Sequence, residues 1–329
     1  MSLSDSLVEL LQCHSTPGEE DEVAALLLQS WRNARLEVRQ HGRYAVSARA
    51  ATADSRDRPV CLVCAHMDSP GYVVQTVDNA CITAVSLGHP SFFDGSAAAV
   101  LKTALGKERI QLEAATSGDG DPEYVFAYVD GVAEGDRVCF EAVPEMDDQG
   151  LITSPFLDNR LGCAALCELG PKLAALAGPF DVVLGATSCE EMNGFGAHVL
   201  ARAIEPDLVL CLDATYEACI QNVVLGGGPV LTLTDASVLL GGRVRDCVRE
   251  LADEAGIPLQ MEVYNVSGTD SRAFPLQGLP ALVLPLLIAT RGNHTPREVA
   301  ALSDLERLVT AIEVLAGEAG EHLLGLGLG

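Results

Sequence analysis

Lysine and aromatic residues are scarce in this chain. Only Lys102, Lys107 and Lys172 supply lysine, one tryptophan stands among 329 residues, and 21 basic residues face 46 acidic ones. The resulting formal charge of −25 repels nucleic acid and anionic lipid surfaces, which argues against a direct role on either. No continuous apolar run approaches the roughly 18 residues needed to span a bilayer, and the first residues lack a basic segment followed by an apolar core. Two CxxC pairs able to close a structural zinc site are also missing, although there are 11 cysteines. Cys61 and Cys64 fall inside the apolar run Pro59 to Ala65, where buried reduced thiols are expected. A soluble, unsecreted, cytoplasmic protein with no nucleic-acid or membrane partner is the expectation.

What the chain does contain is enough apolar residue to bury a large core. Hydrophobic residues make up 48% and charged residues 20%, with a mean hydropathy of +0.23, values of a folded globular protein. Apolar residues at helical spacing occur in two blocks, Leu7 to Leu11 and Val23 to Leu28, and Thr16-Pro17 followed by Glu19 and Glu20 predicts the start of the second helix. After a linker over 51–58, the short apolar run Val60 to Ala65 predicts a strand buried on both faces. From about Val73 to Thr153 the texture changes to Val, Thr, Ser, Gly and Asp, with turns at Gly106, Gly118 to Pro122 and Gly135-Asp136, which predicts a separate all-β insert. Beyond it, helical and strand-like runs alternate. Helices are expected from Leu157 through Ala175, over Gly194 to Ala203, Arg243 to Ala255 and Asp304 to Ala316. Strands are expected over Val182 to Thr187, Leu208 to Leu212, Pro229 to Leu233 and Leu282 to Leu287. Such alternation predicts an α/β layer fold. Ser303 with Glu306 three residues on predicts a capping box for the last helix.

Polar residues gather where these strands end. His66-Met67-Asp68 follows the first, Glu190-Glu191 the second, Asp213 the third, and His294 the last. Open α/β sheets bind ligands at the carboxyl edge of their strands. Four segments delivering His, Glu or Asp to that edge would form a metal site richer in oxygen than in sulfur, suited to zinc, cobalt or manganese. His66 and Asp68, two apart on an extended segment, point to the same side, so Asp68 is placed to accept a hydrogen bond from the imidazole or from a group beside it. Asp158, before Asn159-Arg160-Leu161-Gly162, reads equally as a helix cap or a ligand. Asp213 ends an apolar strand, where a carboxylate is costly unless paired or coordinated.

In order, His66-x-Asp68, Asp158-Asn159-Arg160, Glu190-Glu191, Asp213, Gly268-Thr269-Asp270 and His294-Thr295-Pro296 resemble metallopeptidase family 42, the tetrahedral (TET) and glutamyl aminopeptidases. The resemblance covers essentially the whole chain and extends to Pro17-Gly18, Gly226-Gly227-Gly228-Pro229 and Gly256-Ile257-Pro258 with Gln260. It implies an α/β fold in which a mixed sheet flanked by helices forms a zinc-peptidase-like catalytic domain over 1–72 and 153–329. An inserted all-β dimerisation domain would occupy 73–152. It also implies two divalent metal ions, zinc or else cobalt or manganese, with Asp158 between them, His66 and Asp213 on one side and Glu191 and His294 on the other. Glu190 would then be the general base, Asp68 would orient His66, and the peptide between Asp158 and Asn159 would be cis. The implied activity is removal of N-terminal residues from short peptides, and the implied assembly is a homo-oligomer, a dodecamer built from dimers.

This sequence departs from the usual pattern of that family at several places: Ser69-Pro70 after the first motif, Asn159 in place of a second Asp, Met192-Asn193-Gly194-Phe195-Gly196 after the glutamate pair, and Gly292 before the last histidine. The proposed ligands and base are all retained, so the departures bear on substrate preference and assembly, as do Arg272, Arg291 and Asp270 near the site. A related metal-dependent carboxypeptidase or N-deacylase would share the ligands, and a non-catalytic metal-binding scaffold would need no base such as Glu190.

Overall fold

The computed structural model describes residues 2–51, 58–78, 81–92, 95–116, 122–264 and 268–326. Most of the 51–58 linker and most of the turn at Gly118 to Pro122 lie outside these residues. Two amphipathic helices open the chain. α1 (Leu3–Leu11) turns Leu7, Leu10 and Leu11 inward at helical spacing, and α2 (Asp21–Asn33) does the same with Val23, Leu27, Leu28 and Trp31. The second helix begins at Asp21 and not at Pro17. Gly18 takes a left-handed φ of 85°, and Glu19 N donates to Thr16 O at 2.9 Å, so Pro17-Gly18 forms a turn before the helix.

The strands β1 (Glu37–His41), β2 (Ala45–Arg49) and β3 (Val60–His66) follow, then six that close on themselves: β4 (Gly71–Val77), β5 (Ile82–Leu87), β6 (Ser96–Thr103), β7 (Gly106–Thr116), β8 (Pro122–Phe126) and β9 (Arg137–Phe140). This closed antiparallel barrel is the all-β part. The short β10 (Glu145–Met146) and β11 (Leu151–Ser154) return to the main sheet, where β11 pairs with a strand far along the chain. The remaining elements are α3 (Leu157–Leu169), β12 (Asp181–Thr187), α4 (Phe195–Ile204), β13 (Leu208–Tyr216), β14 (Val230–Thr234), α5 (Gly242–Glu254), β15 (Gln260–Val263), α6 (Ala273–Leu276), β16 (Leu282–Arg291), β17 (Glu298–Ala301) and α7 (Leu302–Ala316). The main sheet runs β1-β2-β12-β3-β13-β16-β17-β11-β10, with β14 joined to β16 and β15 to β14. Its centre, β12, β3, β13 and β16, is parallel, and antiparallel strands flank it on both sides.

Alternation along the central strands explains why helices cover both faces. Cys61, Val63 and Ala65 of β3, with Leu208, Leu210 and Leu212 of β13, enter one core together with Leu10, Leu27, Trp31, Leu166 and Leu308. Leu62 and Cys64, with Val209 and Cys211, enter the other, against Leu200 of α4 and Phe274 of α6. The period of two therefore sends successive residues of one apolar run into different layers.

Register then sets the functional edge. His66 pairs with Thr187 across the β3–β12 ladder, and Asp213 stands one residue beyond the Leu212–Ala65 pair. The Asp158–Asn159 peptide is cis, and both residues keep non-helical backbone angles at the start of α3. The capping box expected at Ser303 is not formed. α7 starts at Leu302, directly after β17, and its N-cap is Ala301. Asp304 instead accepts Gly226 N and Gly228 N at 2.7 Å each, tying the Gly-Gly-Gly-Pro turn to this helix.

Gly196 marks a backbone approach with no room for a side chain. A Cβ there would lie 2.2 Å from Ser188 N and 2.5 Å from Tyr44 O. Gly196→Ala is expected to destabilise the chain by about 1–3 kcal/mol, read as a lower urea midpoint with an unchanged slope.

Candidate active site

The carboxyl edge of the parallel strands opens into a cleft of about 320 Å³ that is lined by His66, Asp158, Glu190, Glu191, Asp213 and His294, all six residues singled out from sequence as ligands or base. β3 delivers His66 and β13 delivers Asp213. Asp158 comes from the irregular start of α3, the glutamates from the loop after β12, and His294 from the loop after β16, where it holds a left-handed φ of 66°. Two donor groups share Asp158. His66, Asp158 and Asp213 form one, and Asp158, Glu191 and His294 the other, each with ligand atoms within 4.8 Å of one another.

Distances resolve how they share it. Asp158 Oδ1 lies 3.3 Å from His66 Nε2, while Oδ2 lies 3.5 Å from His294 Nε2. Asp213 Oδ1 is 3.2 Å from His66 Nε2, and Glu191 Oε1 is 3.3 Å from His294 Nε2. His66 Nδ1 donates to the carbonyl oxygen of Asp68 at 3.0 Å. A carbonyl only accepts, so this bond fixes the tautomer and leaves Nε2 facing the carboxylates. The donor set fits a divalent metal on an observation of its own: Asp158 Oδ1 is buried and makes no well-aligned hydrogen bond, its near neighbour being His66 Nε2 at 3.3 Å, a costly condition for a carboxylate oxygen that a cation would relieve.

Asp68 has a second task. Its carboxylate lies 3.6 Å from His66 Nδ1, but its two oxygens accept the backbone N–H groups of Glu190 at 3.0 Å and Glu191 at 3.1 Å. The partner it grips most directly is thus the group beside the imidazole. Glu190 belongs to neither group that shares Asp158 but stands with His66 and Glu191 in a third, and Arg272 Nη2 lies 3.6 Å from its Oε1.

Burial and like charge dominate the electrostatics. Burial, reinforced by Asp213, Asp270 and Glu191, pushes the Glu190 carboxyl well above the usual range, against the pull of His66. Burial likewise raises Glu191, Asp213 to about 6 and Asp270 to about 6. For His66, burial opposes the charged form, but Asp213, Asp158 and Asp68 outweigh it and the pKa rises. For His294, Asp158 and Glu191 outweigh burial and push it up to about 12. Asp158 resists its own burial and is held below the usual carboxylate range by the two imidazoles.

Several functional contacts carry no motif in the sequence. Glu298, buried on β17, accepts Asp158 N and His294 N at 2.9 Å each and so spans the two segments that meet at the shared carboxylate. Burial, then Asp158, raises its pKa to about 8. Asn293 Nδ2 stands 3.4 Å from Asp158 Oδ2. Asp235 and Glu262 also line the cleft. Of the residues expected to tune specificity, Arg272 lines the cleft. Asp270 is buried and accepts Thr187 Oγ1 at 2.5 Å, and Arg291 is occupied by Glu217. The departure at Asn159 has a physical role: its Nδ2 donates to Leu212 O at 2.8 Å, a contact an ionised Asp could not make.

Comparison with known proteins places the chain in a family. Residues 127–310 match the family model described as M42 glutamyl aminopeptidase, and the chain belongs to that family. It is 32% identical over 184 residues to a candidate aminopeptidase of Acetivibrio thermocellus, a match that covers 53% of this chain and about half, 54%, of that protein. To SgcX of Escherichia coli, also a candidate aminopeptidase, it is 26% identical across 98% of this chain and 95% of that one. The fold is shared with a Pyrococcus horikoshii TET1 peptidase structure, described as able to assemble into a tetrahedron or a large octahedral shell, at a TM-score of 0.84, 21% identity, and coverage of 96% of this chain and 100% of that one.

Linkage sets a pH test. Asp213, Glu190, Glu191 and Glu298 have folded pKa values raised above their unfolded ones, as do His66 and His294. Each binds more protons folded than unfolded, so its stabilisation is full below the unfolded value and lost as pH rises towards the folded one. The lowered Asp158 acts only in acid. In chelator, the melting midpoint is therefore expected to fall between about pH 6 and pH 8.5. Added zinc is expected to raise it, by more at the higher pH, because the ligands must be deprotonated. A flat profile in chelator would contradict this account.

Proposed function

We propose that this chain is a dimetal aminopeptidase that hydrolyses N-terminal residues from short peptides with Glu190 as general base. The observation that carries the reading is the two-sided setting of Asp158, one oxygen towards His66 and Asp213 and the other towards His294 and Glu191. Those five residues would hold two divalent ions, zinc or else cobalt or manganese. When bound, such a pair acidifies water and polarises the scissile carbonyl.

The chain supplies the remaining chemistry. His66 is aimed by the Asp68 carbonyl, so its Nε2 lone pair faces the site without reorientation. Glu190 stands outside the groups that share Asp158 and takes the proton of the attacking water and returns it to the departing amine. Its backbone is pinned by Asp68, so the carboxylate is positioned before substrate arrives. The free α-amine of the substrate meets the cleft carboxylates, which restricts cleavage to the first residue. We extend homo-oligomerisation to this chain from the assembling TET relative, with the barrel as its dimerisation domain and a dodecamer as the expected form. The reading favours a cytoplasmic enzyme; among the described residues no helix is long and apolar enough to cross a membrane.

The test is a panel of aminoacyl-anilides with matching N-acetylated controls, before and after chelation and with zinc, cobalt or manganese restored. Only the free-amine substrates should be cleaved, and chelator should abolish the activity. Glu190→Gln should lower kcat by about 10²–10⁴ with little change in metal content. Cleavage of the acetylated controls instead would move the assignment to an N-deacylase. Two bound metals with no cleavage of either set would favour a scaffold.

A further inference from the structure

We propose that Glu20 is a positioning residue for the loop that carries Glu190 and Glu191. Glu20 immediately precedes α2, and its side chain turns away from that helix and enters the protein, 4% exposed. Its Oε1 accepts Cys189 N at 3.1 Å and Gly18 N at 2.7 Å. Cys189 is the residue before the base, and it holds a left-handed φ of 60°, unusual for a side chain with a Cβ. Three successive amides of this loop thus end on buried carboxylates, Cys189 on Glu20 and Glu190 and Glu191 on Asp68. The loop is closed from its other end by Asn193 N and Gly194 N, which donate to Cys189 O at 3.1 and 2.8 Å.

This arrangement decides where the two glutamate side chains point. Adjacent residues diverge, and a rotation at Cys189 would swing both carboxylates together. Amides 190 and 191 are held from the Asp68 side alone, so without Glu20 the left-handed residue ahead of them has no acceptor for its N–H. Burying two carboxylates close together is unfavourable, since Asp68 raises the pKa of Glu20 beyond what burial does. The amides they hold offset that cost. The same segment also reaches the other ligand loop, because Ser15 Oγ donates to Met67 O at 2.8 Å and Ser69 N donates to Ser15 O at 3.0 Å. Residues 15–20 therefore form a strap across both the His66 and the Glu190 loops.

The kinetic arm of the test rests on the aminopeptidase reading; the exchange arm does not. Glu20→Ala and Glu20→Gln are compared with wild type. Hydrogen–deuterium exchange is followed in the metal-free proteins over residues 188–194, with 181–187 of β12 as reference. Glu20→Ala should raise exchange in 188–194 by about tenfold or more and leave β12 unchanged, because it removes the acceptor of the Cys189 amide. Its kcat on a free-amine anilide should fall about tenfold or more while KM stays within about twofold, the signature of a displaced base. Glu20→Gln keeps a carbonyl acceptor and should restore both readouts to within about threefold of wild type. Unchanged exchange over 188–194 in Glu20→Ala would overturn the proposal, as would equal loosening of β12. Equal impairment of both variants would overturn it too, since the acceptor would then not be what matters. A wild type that cleaves no anilide would sink the aminopeptidase reading and leave the exchange comparison to decide the role of Glu20.

Discussion

The Asp158 carboxylate stands between two imidazoles, with Oδ1 3.3 Å from His66 Nε2 and Oδ2 3.5 Å from His294 Nε2. Each imidazole faces a further carboxylate, Asp213 or Glu191. Such a concentration of ionisable groups in one cleft has to be compensated, because burying an unpaired ion costs several kcal/mol even after relaxation. Burial raises the pKa values of Glu190, Glu191 and Asp213 for the same reason. Positive charge supplied at the centre would relieve that cost.

A second theme is that loops around the cleft and the neighbouring sheet are held by carboxylates that take no direct part in the shared groups. Glu298 binds the amides of Asp158 and His294. Asp68 binds those of Glu190 and Glu191, Glu20 that of Cys189, and Asp304 those of the turn at Gly226 and Gly228. A charge-assisted bond to a backbone N–H is stronger and more directional than a neutral one. Loops would otherwise be the mobile part of an α/β fold. Acidic residues here act as anchors for backbone as well as lining the cleft.

Arg160 closes this framework from beneath. Fully buried, it donates to Met67 O at 2.5 Å, Ser69 Oγ at 3.2 Å, Leu10 O at 3.3 Å and Ser15 O at 3.5 Å. One guanidinium thus ties α1, the strap before α2 and the His66 loop to the first turn of α3. Ser69, a departure from the usual family pattern, also donates to Asp158 O at 2.9 Å and so joins the same network.

Much of this was legible in the residues alone. The apolar run Val60 to Ala65 reads as a doubly buried strand because six adjacent apolar side chains have no polar face to offer water. The His, Asp and Glu residues that follow such strands were recognisable because charge is rare next to a buried run. The sequence by itself determined the strand and helix alternation, the β-rich texture of the barrel and five of the six cleft residues, while Asp158 reads equally as a helix cap. Tertiary structure decided what periodicity does not encode: which oxygen of Asp158 faces which histidine, that Pro17 lies in a turn, and that β17 leads straight into α7 without the Ser303 box. It also disclosed Glu20 and Glu298, which look like surface acids in a chain with 46 of them. Their role depends on hydrogen bonds to amides 169 and 140 residues away along the chain, and only the closed fold brings such groups together.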